Sequence, residues 1–163
     1  MIRIEPAKAG EVQEIKQVLS DTWIDTYGSF LSEKIIQKVT SVWHDPNLLA
    51  SQIQNPGFFF AVAKDERATI LGLVTARKLD NDTVVINRLY VHPQYQRKGI
   101  GEMLLNTSIS AFPETKRVRL EVEEQNQKGL SFYLKQGFKE IGRKEENVEG
   151  ETLEVIEMEK RIS

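Results

Sequence analysis

The residues with the clearest chemical capacity lie at positions 96–101, which read Gln-Arg-Lys-Gly-Ile-Gly. A phosphate chain at a helix start is held by unpaired backbone N–H groups and by the positive end of the helix dipole, where no side chain obstructs it. Gly99 and Gly101 permit this close approach, and Arg97 and Lys98 add positive charge. The segment therefore predicts a cradle for a pyrophosphate, although a turn whose glycines only cap a helix explains the same residues.

The same six residues exclude the two best-known phosphate-binding loops. They lack the Gly-Lys-Ser/Thr ending of nucleoside triphosphatases. They also lack the closely spaced glycine triplet of dinucleotide-binding folds. The predicted cradle is therefore of neither type.

A second informative segment covers residues 126–138 and reads Asn-Gln-Lys-Gly-Leu-Ser-Phe-Tyr-Leu-Lys-Gln-Gly-Phe. Asn126 suits a helix N-cap, and Gly137 suits the residue that follows a helix. Asn126 and Tyr133 are separated by two helical turns, which is about 10 Å along one face. A capping amide at one end and a phenol at the other can line an extended, thiol-ended arm. The alternative interpretation makes Phe132 and Tyr133 ordinary core aromatics.

The N-terminal part of the chain predicts a short strand at residues 2–5 and two amphipathic helices. Apolar residues recur at spacings of three and four from Val12 to Trp23, which indicates the first helix. Ser32 is a suitable N-cap for the second helix. The residues at 44–46 and 55–57 have the composition of turns.

Strands dominate the next part of the chain, at residues 58–63, 69–76 and 83–91. Their short polar connectors favour antiparallel hairpins. A helix from Gly99, a strand at 118–122 and a helix from Asn126 follow. This order implies parallel pairing of the strands on either side of the first of these helices. Two more strands are predicted at 138–141 and 153–162, so the fold class is α/β with a mixed sheet.

Length and composition limit the remaining possibilities. The 163 residues, 40% hydrophobic and 28% charged, suit a single domain spanning 1–163. The absence of cysteine excludes a disulfide scaffold and a cysteine nucleophile, and His44 and His92 have no metal-ligand spacing, so no metal is expected. A net charge of −2 with no basic half argues against a nucleic-acid partner. No apolar run is long enough for a bilayer, and we expect a cytoplasmic protein with no membrane partner.

Residues 89–93, Leu-Tyr-Val-His-Pro, followed by the two segments above, resemble the acetyl-CoA motifs of the GNAT N-acetyltransferases. The matching patterns are Gln/Arg-x-x-Gly-x-Gly/Ala and Asn-x-x-Ala-x-x-Phe-Tyr-x-x-x-Gly-Phe, and the match covers residues 83–141. The resemblance implies the GNAT fold, a mostly antiparallel sheet of about seven strands with about four flanking helices. It also implies acetyl-CoA as co-substrate. The chain departs from the pattern at Gly129, where the family usually has alanine.

The resemblance further implies a role for each matching residue. The backbone of a bulged strand would bind the pantetheine arm and polarise the acetyl carbonyl, at Leu89, Tyr90 and Val91. Six loop residues would hold the pyrophosphate: Gln96, Arg97, Lys98, Gly99, Ile100 and Gly101. Asn126 would contact the pantetheine, and Tyr133 would protonate the departing CoA thiolate.

Acetyl transfer of this kind needs no covalent enzyme intermediate, because an amine attacks the thioester directly and the thiolate leaves with a proton. Family members often carry a glutamate base in the fourth strand, but Val85 and Asn87 stand there in this chain. Glu121, acting through water, is the candidate base. Glu123 and Glu124 in the same segment, or a chain of water molecules with no essential carboxylate, are the alternatives.

The acceptor is expected to be a polyamine or another small amine. Residues 22–27 and 30–33 resemble the first two helices of bacterial-type spermidine/spermine acetyltransferases. Residues 140–159 carry eight glutamates against Arg143 and Lys144, which would attract a cationic amine, although a solvated edge strand explains the same charges. A protein N-terminus or lysine is the alternative acceptor, and acetyl-CoA sensing without turnover is the alternative function. A homodimer is compatible with the sequence.

Overall fold

The computed structural model describes residues 1–162 and contains a seven-stranded sheet. The strands lie in the order β1-β2-β3-β4-β5-β7-β6. Neighbouring strands are antiparallel except for β4 and β5, which are parallel. The strand bounds are Arg3–Pro6 (β1), Phe58–Lys64 (β2), Ile70–Lys78 (β3), Thr83–Val91 (β4), Arg117–Glu123 (β5), Lys139–Val148 (β6) and Glu151–Arg161 (β7). The mixed, mostly antiparallel sheet confirms the predicted fold class.

Helices cover both faces of this sheet. Their bounds are Val12–Tyr27 (α1), Glu33–Trp43 (α2), Pro46–Gln54 (α3), Ile100–Ser110 (α4) and Gln127–Lys135 (α5). Helices α1, α2 and α3 lie on one face, and α4 and α5 lie on the other. Within residues 1–162, none of the helices has the length and apolar character needed to cross a membrane.

Strand alternation separates the cores of the two faces. Ala61 faces the α4 side and Val62 faces the α1 side, and both are buried. A third cluster joins α1 and α2 to the tip of the β6–β7 hairpin through Val148 and Leu153. The hairpin tip is therefore attached to the α1 face.

A bulge in β4 changes which side chains face each core. Consecutive residues of β3 pair with Arg88 and Ile86, so Asn87 is the extra residue. An extra residue reverses the side-chain alternation along a strand. Beyond the bulge, Leu89 therefore packs on the α4 side and Tyr90 on the α1 side.

The two parallel strands are paired over a short distance only. Thr83, Val84 and Val85 of β4 pair with residues 117–119 of β5, and the rest of each strand forms no ladder with the other. The result is a gap between β4 and β5 that side chains from both faces of the sheet can reach. The parallel pairing predicted from the strand–helix–strand order is confirmed.

The turn predicted at residues 55–57 is confirmed, but the one predicted at 44–46 ends at Asp45, and the stretch between the two is a helix, α3, that the sequence analysis did not predict. The predicted turn residues Asp45 and Pro46 mark the start of this helix. The Asp45 carboxylate accepts the Asn47 N–H at 2.7 Å as an N-cap, and Pro46 occupies the first helical position. Proline is favourable at that position because its missing N–H would have no helical partner.

Candidate active site

Left-handed backbone shapes the connection between β4 and α4. Arg97 has a φ of 65° and Gly99 a φ of 79°, and α4 begins directly afterwards at Ile100. The first N–H groups of a helix have no intrahelical acceptor, so those of α4 and the positive end of its dipole are directed at this loop. The Gln96 side chain donates to the Val91 carbonyl at 3.0 Å and holds the loop against β4. This arrangement suits an anion.

Gly99 and Gly101 are required for different physical reasons. A Cβ at position 99 would meet no atom within 4 Å, so the requirement for Gly99 comes from its positive φ. A Cβ at position 101 would lie 3.3 Å from the Phe132 ring. Gly101 therefore allows α4 to approach α5, a packing role that the sequence prediction of phosphate access did not include.

The β4 edge that faces the gap has no ladder with β5 beyond Val85, although the Val91 carbonyl accepts the Gln96 side chain. Leu89, Tyr90 and Val91 pair with residues 72–74 of β3 on one side. Their other side borders the gap, because the ladder with β5 ends at Val85. An extended, amide-containing arm can bind such an edge in the way that an added strand does.

Asn126 caps the start of α5. Its Oδ1 accepts the Gly129 N–H at 3.0 Å. A Cβ at position 129 would lie 2.6 Å from the Asn126 Nδ2. The glycine that departs from the family pattern therefore leaves room for this orientation of the amide.

Tyr133 lies two turns further along α5, with its ring half-buried between Phe132 and Phe138. The ring centroids are 5.3 Å and 5.6 Å apart. Burial raises the pKa of Tyr133, and the nearby Tyr90 raises it further. The phenol therefore stays protonated at neutral pH and is able to donate a proton.

One cavity of about 1050 Å³ connects these parts. The predicted site residues that line it are Leu89, Tyr90, Val91, Gln96, Arg97, Gly99, Ile100, Gly101, Glu121, Asn126 and Tyr133. Lys98 does not line the cavity, and its ammonium group lies 5.7 Å from the centroid of the Tyr95 ring. The structure thus brings together every predicted site residue except Lys98.

Among the lining residues that the sequence prediction did not include, four carry polar groups from α1 and from β4 next to its bulge. Thr22, Thr26 and Tyr27 come from α1, and Arg88 comes from β4 next to the bulge. Thr22 and Thr26 are one turn apart on one helix face, and this spacing in the sequence could have predicted a polar stripe on α1. Nothing in the sequence alone indicates that this stripe reaches the gap between β4 and β5.

The three candidate glutamates of β5 and its end have different surroundings. Glu121 is exposed at the rim of the cavity and forms an ion pair with Lys144, whose pKa it raises. Glu123 is buried and accepts a backbone N–H at 2.8 Å, and burial raises its pKa. Glu124 lies 3.2 Å from Arg143. Of the three, Glu121 is the one that lines the cavity.

A smaller cavity of about 260 Å³ adjoins the gap. Its lining includes Asn87, Arg119, Glu121 and Glu157. Arg119 and Glu121 alternate along β5 with Leu120, which faces the α4 core, so this cavity opens on the α1 face. Asn87 and Glu121 line both cavities.

The two histidines lie in different surroundings. His92 Nε2 is 3.0 Å from the Asp21 carboxylate and connects the end of β4 to α1. His44 is buried beside Trp23, and burial, with the nearby Arg88 charge, lowers its pKa to about 3. In the part of the chain that the structure describes, no three or more potential ligand side chains are grouped for a metal ion.

Sequence comparison finds a family and two informative relatives. Residues 14–138 match the model of the acetyltransferase (GNAT) family. The chain is 28% identical over 144 residues to the spermidine N(1)-acetyltransferase of Thermoplasma acidophilum, which covers 85% of this chain and 88% of that protein. It is 35% identical over 60 residues to the peptidyl-lysine N-acetyltransferase YjaB of Escherichia coli, which covers 37% of this chain and 39% of that protein.

Structural comparison agrees with the family match. The crystal structure of the PaiA N-acetyltransferase from Thermoplasma acidophilum in complex with coenzyme A superposes with a TM-score of 0.84 at 27% identity, over 99% of both chains. The solution structure of apo YjaB from Escherichia coli gives 0.72 at 23% identity, over 98% of this chain and 97% of that one, and shows the fold alone. Since the family model spans most of the sequence, the chain belongs to the acetyltransferase (GNAT) family and is an N-acetyltransferase that uses acetyl-CoA.

Proposed function

We propose that the chain transfers the acetyl group of acetyl-CoA directly to an amine that binds on the α1 side of the β4–β5 gap. The observation that carries this proposal is the single cavity that extends from the start of α4 to Tyr133. The loop at 96–101 suits the pyrophosphate, and the free β4 edge suits the pantetheine amides. Asn126 and Tyr133 would then flank the thioester. The cavity volume of about 1050 Å³ slightly exceeds the range of about 300–1000 Å³ for small-molecule sites, as a long ligand requires.

The proposed reaction is a direct attack without an enzyme-bound acetyl group. The amine nitrogen forms a bond to the carbonyl carbon, and the carbon–sulfur bond breaks. A free N–H on the β4 edge would stabilise the oxyanion, and Tyr133 would give its proton to the departing thiolate. This route also suits a chain without cysteine.

The amine must lose a proton, and Glu121 is the carboxylate that we assign to receive it through water. It lines both cavities at the rim of the gap. Neither Glu123 nor Glu124 lines the cavities. The Lys144 ammonium forms an ion pair with the Glu121 carboxylate.

We further propose a cationic small amine, such as a polyamine, as the acceptor. The support is the similarity to a spermidine N(1)-acetyltransferase over most of the chain and the carboxylates of the smaller cavity. Among the described residues, Glu157 has no cationic partner within 4.0 Å. Its neighbour on β7, Glu159, is instead paired with Arg119 at 2.7 Å.

The acidic field at the acceptor side is weaker than composition suggests, because several carboxylates have partners. Asp21 is 3.0 Å from His92, and Asp25 is 3.8 Å from Lys128. Glu121 is paired in the same way with Lys144. Attraction of a polycation therefore depends on Glu157 more than on these paired carboxylates.

Thiol release from acetyl-CoA, measured with a panel of acceptors, tests this proposal. The panel contains spermidine, a monoamine, a peptide with a free N-terminus and a peptide with an internal lysine. We expect the highest kcat/KM for spermidine. A higher kcat/KM for either peptide would indicate a protein acceptor instead, and thiol release with no acceptor would contradict turnover.

A further inference from the structure

Tyr27, the last residue of α1, is a second phenol in the cavity that contains Tyr133. Only 8% of Tyr27 is exposed. Its ring lies against Trp23 and Phe30, with centroid distances of 4.3 Å and 5.5 Å. The same core cluster includes the tip of the β6–β7 hairpin. The ring is therefore held by the helix and by the hairpin, and its hydroxyl end is directed into the cavity.

The Tyr27 hydroxyl reaches the gap from the face opposite to Tyr133. Helix α1 and helix α5 lie on opposite sides of the sheet, and the β4–β5 gap is the opening where their side chains meet. The Asn126 amide faces the Tyr27 hydroxyl. Two phenols thus approach one end of the cavity from two faces.

The protonation state of Tyr27 limits what it can do. Burial is the main cause that raises its pKa well above the ordinary range, and Tyr90, Glu123 and Tyr133 add to the rise. The phenol therefore keeps its proton at neutral pH and is unsuited to act as a base. It can donate its O–H to an amide or carboxylate and accept an N–H on its oxygen.

The two substrates are expected on opposite faces of the sheet, so the face on which the Tyr27 hydroxyl lies indicates which substrate it contacts. The anion-binding loop leads into α4 on the other face, where Tyr133 also packs. The acetyl donor therefore occupies the α4–α5 side. The acceptor is left the α1 side, where Tyr27 lines the cavity with Thr22 and Thr26.

We propose that Tyr27 contacts the acceptor: its oxygen accepts an N–H of the attacking amine and directs the nitrogen lone pair at the acetyl carbon. This inference rests on the proposed function. In the transfer step the N–C bond forms and the C–S bond breaks. The amine proton passes to Glu121 through water, and the thiolate takes the proton of Tyr133. The Tyr27 O–H bond stays intact, so Tyr27 places the amine without entering the proton balance.

The substitution Tyr27→Phe removes this one oxygen and keeps the ring. We expect the KM for the amine to rise about tenfold, the size of one lost hydrogen bond. The Kd for acetyl-CoA, measured by calorimetry, stays at the wild-type value, because the donor lies on the other face. The increase applies to spermidine and to a monoamine alike, since the contact is to the attacking nitrogen.

The variant Phe30→Leu is the matched control, because it loosens the packing of the same ring and leaves the hydroxyl in place. Its KM for the amine is expected at the wild-type value. An unchanged KM in Tyr27→Phe, an equal rise in Phe30→Leu, or a loss of acetyl-CoA affinity would each overturn the inference. Failure of the proposed function is seen separately, in the wild-type protein, as no thiol release with any amine, and it would end the Tyr27 proposal as well.

Discussion

The side of the cavity proposed for the donor and the side proposed for the acceptor are built by different means. On the α4–α5 side, backbone conformation and glycines dominate: Gly99 adopts a positive φ, and Gly101 allows Phe132 to approach α4. On the α1 side, side chains from elements distant in sequence meet at the gap, including Tyr27 and Glu121. A site built from backbone leaves a local motif in the sequence, whereas a site built from distant side chains does not. The donor side is therefore the part that a sequence can reveal.

The largest expected effect on the donor side follows from Tyr133→Phe. Loss of the proposed general acid lowers kcat about 10²-fold, and the Kd for acetyl-CoA is unchanged because only a hydroxyl is removed. Because the pKa of Tyr133 is raised and its protonated form is the active one, wild-type kcat holds as pH rises from 9 to 10. Steady-state kinetics over this range measure both effects. An unchanged kcat in the variant would return Tyr133 to the role of a core aromatic.

A large stability effect is expected on the α1 side, at His44. The pKa of His44 is about 3 in the folded protein and 6.5 in the unfolded chain. Below pH 6.5 the imidazole is protonated in the unfolded chain but stays neutral in the folded protein. The free energy of unfolding therefore falls by about 1.4 kcal/mol for each pH unit. We expect about 2 kcal/mol to be lost between pH 6.5 and 5, and His44→Leu to remove that loss. Urea unfolding at both values measures it, and equal losses in the two proteins would contradict the assignment.

The substitution Gly101→Val tests whether Gly101 is needed for the packing of α4 against α5 as well as for phosphate access. The added side chain meets the Phe132 ring, since even a Cβ would lie 3.3 Å from it. Overpacking of this kind costs about 1–2 kcal/mol of unfolding free energy. Gly10→Val is the control, because a Cβ at that exposed position meets no atom within 4 Å. Equal thermal stability of Gly101→Val and wild type would show that α4 and α5 do not depend on this contact.

The smallest expected effect is the salt dependence of the acceptor side. If Glu157 attracts a polycation, kcat/KM for spermidine falls several-fold as ionic strength exceeds about 0.15 M, where the Debye length is about 8 Å. A monoamine carries less charge, so its kcat/KM falls less. Initial rates for both acceptors across a salt series test this. Equal salt sensitivity would mean that the acidic hairpin is only a solvated surface.

Features built from local backbone patterns could be predicted from the sequence, whereas features built from side chains distant in the chain could not. The bounds of β2, β3, β4 and β5, the parallel β4–β5 pair and the loop at 96–101 follow from local patterns, and the structure agrees with them. The strand predicted at 138–141 is too short, because β6 continues to Val148 as a mostly exposed strand with no apolar alternation to mark it. Helix α3 was missed because Pro46 was interpreted as part of a turn, whereas it occupies the first helical position. Tyr27 was missed because only the folded sheet brings α1 to the gap. The Glu121–Lys144 ion pair joins β5 to β6, and no spacing in the chain indicates it.

Calorimetry with acetyl-CoA and ATP tests the central claim, that the cavity between β4 and β5 holds acetyl-CoA with its pyrophosphate at the loop before α4. We expect the wild-type protein to bind acetyl-CoA more tightly than ATP. Gly99→Val weakens acetyl-CoA binding at least about tenfold, because the positive φ strains the loop and the side chain enters the phosphate path. The variant adds no steric clash, since a Cβ at position 99 meets no atom within 4 Å, so its cost to the fold is the backbone strain of this loop. Tighter binding of ATP, or normal acetyl-CoA binding by Gly99→Val, would contradict the account.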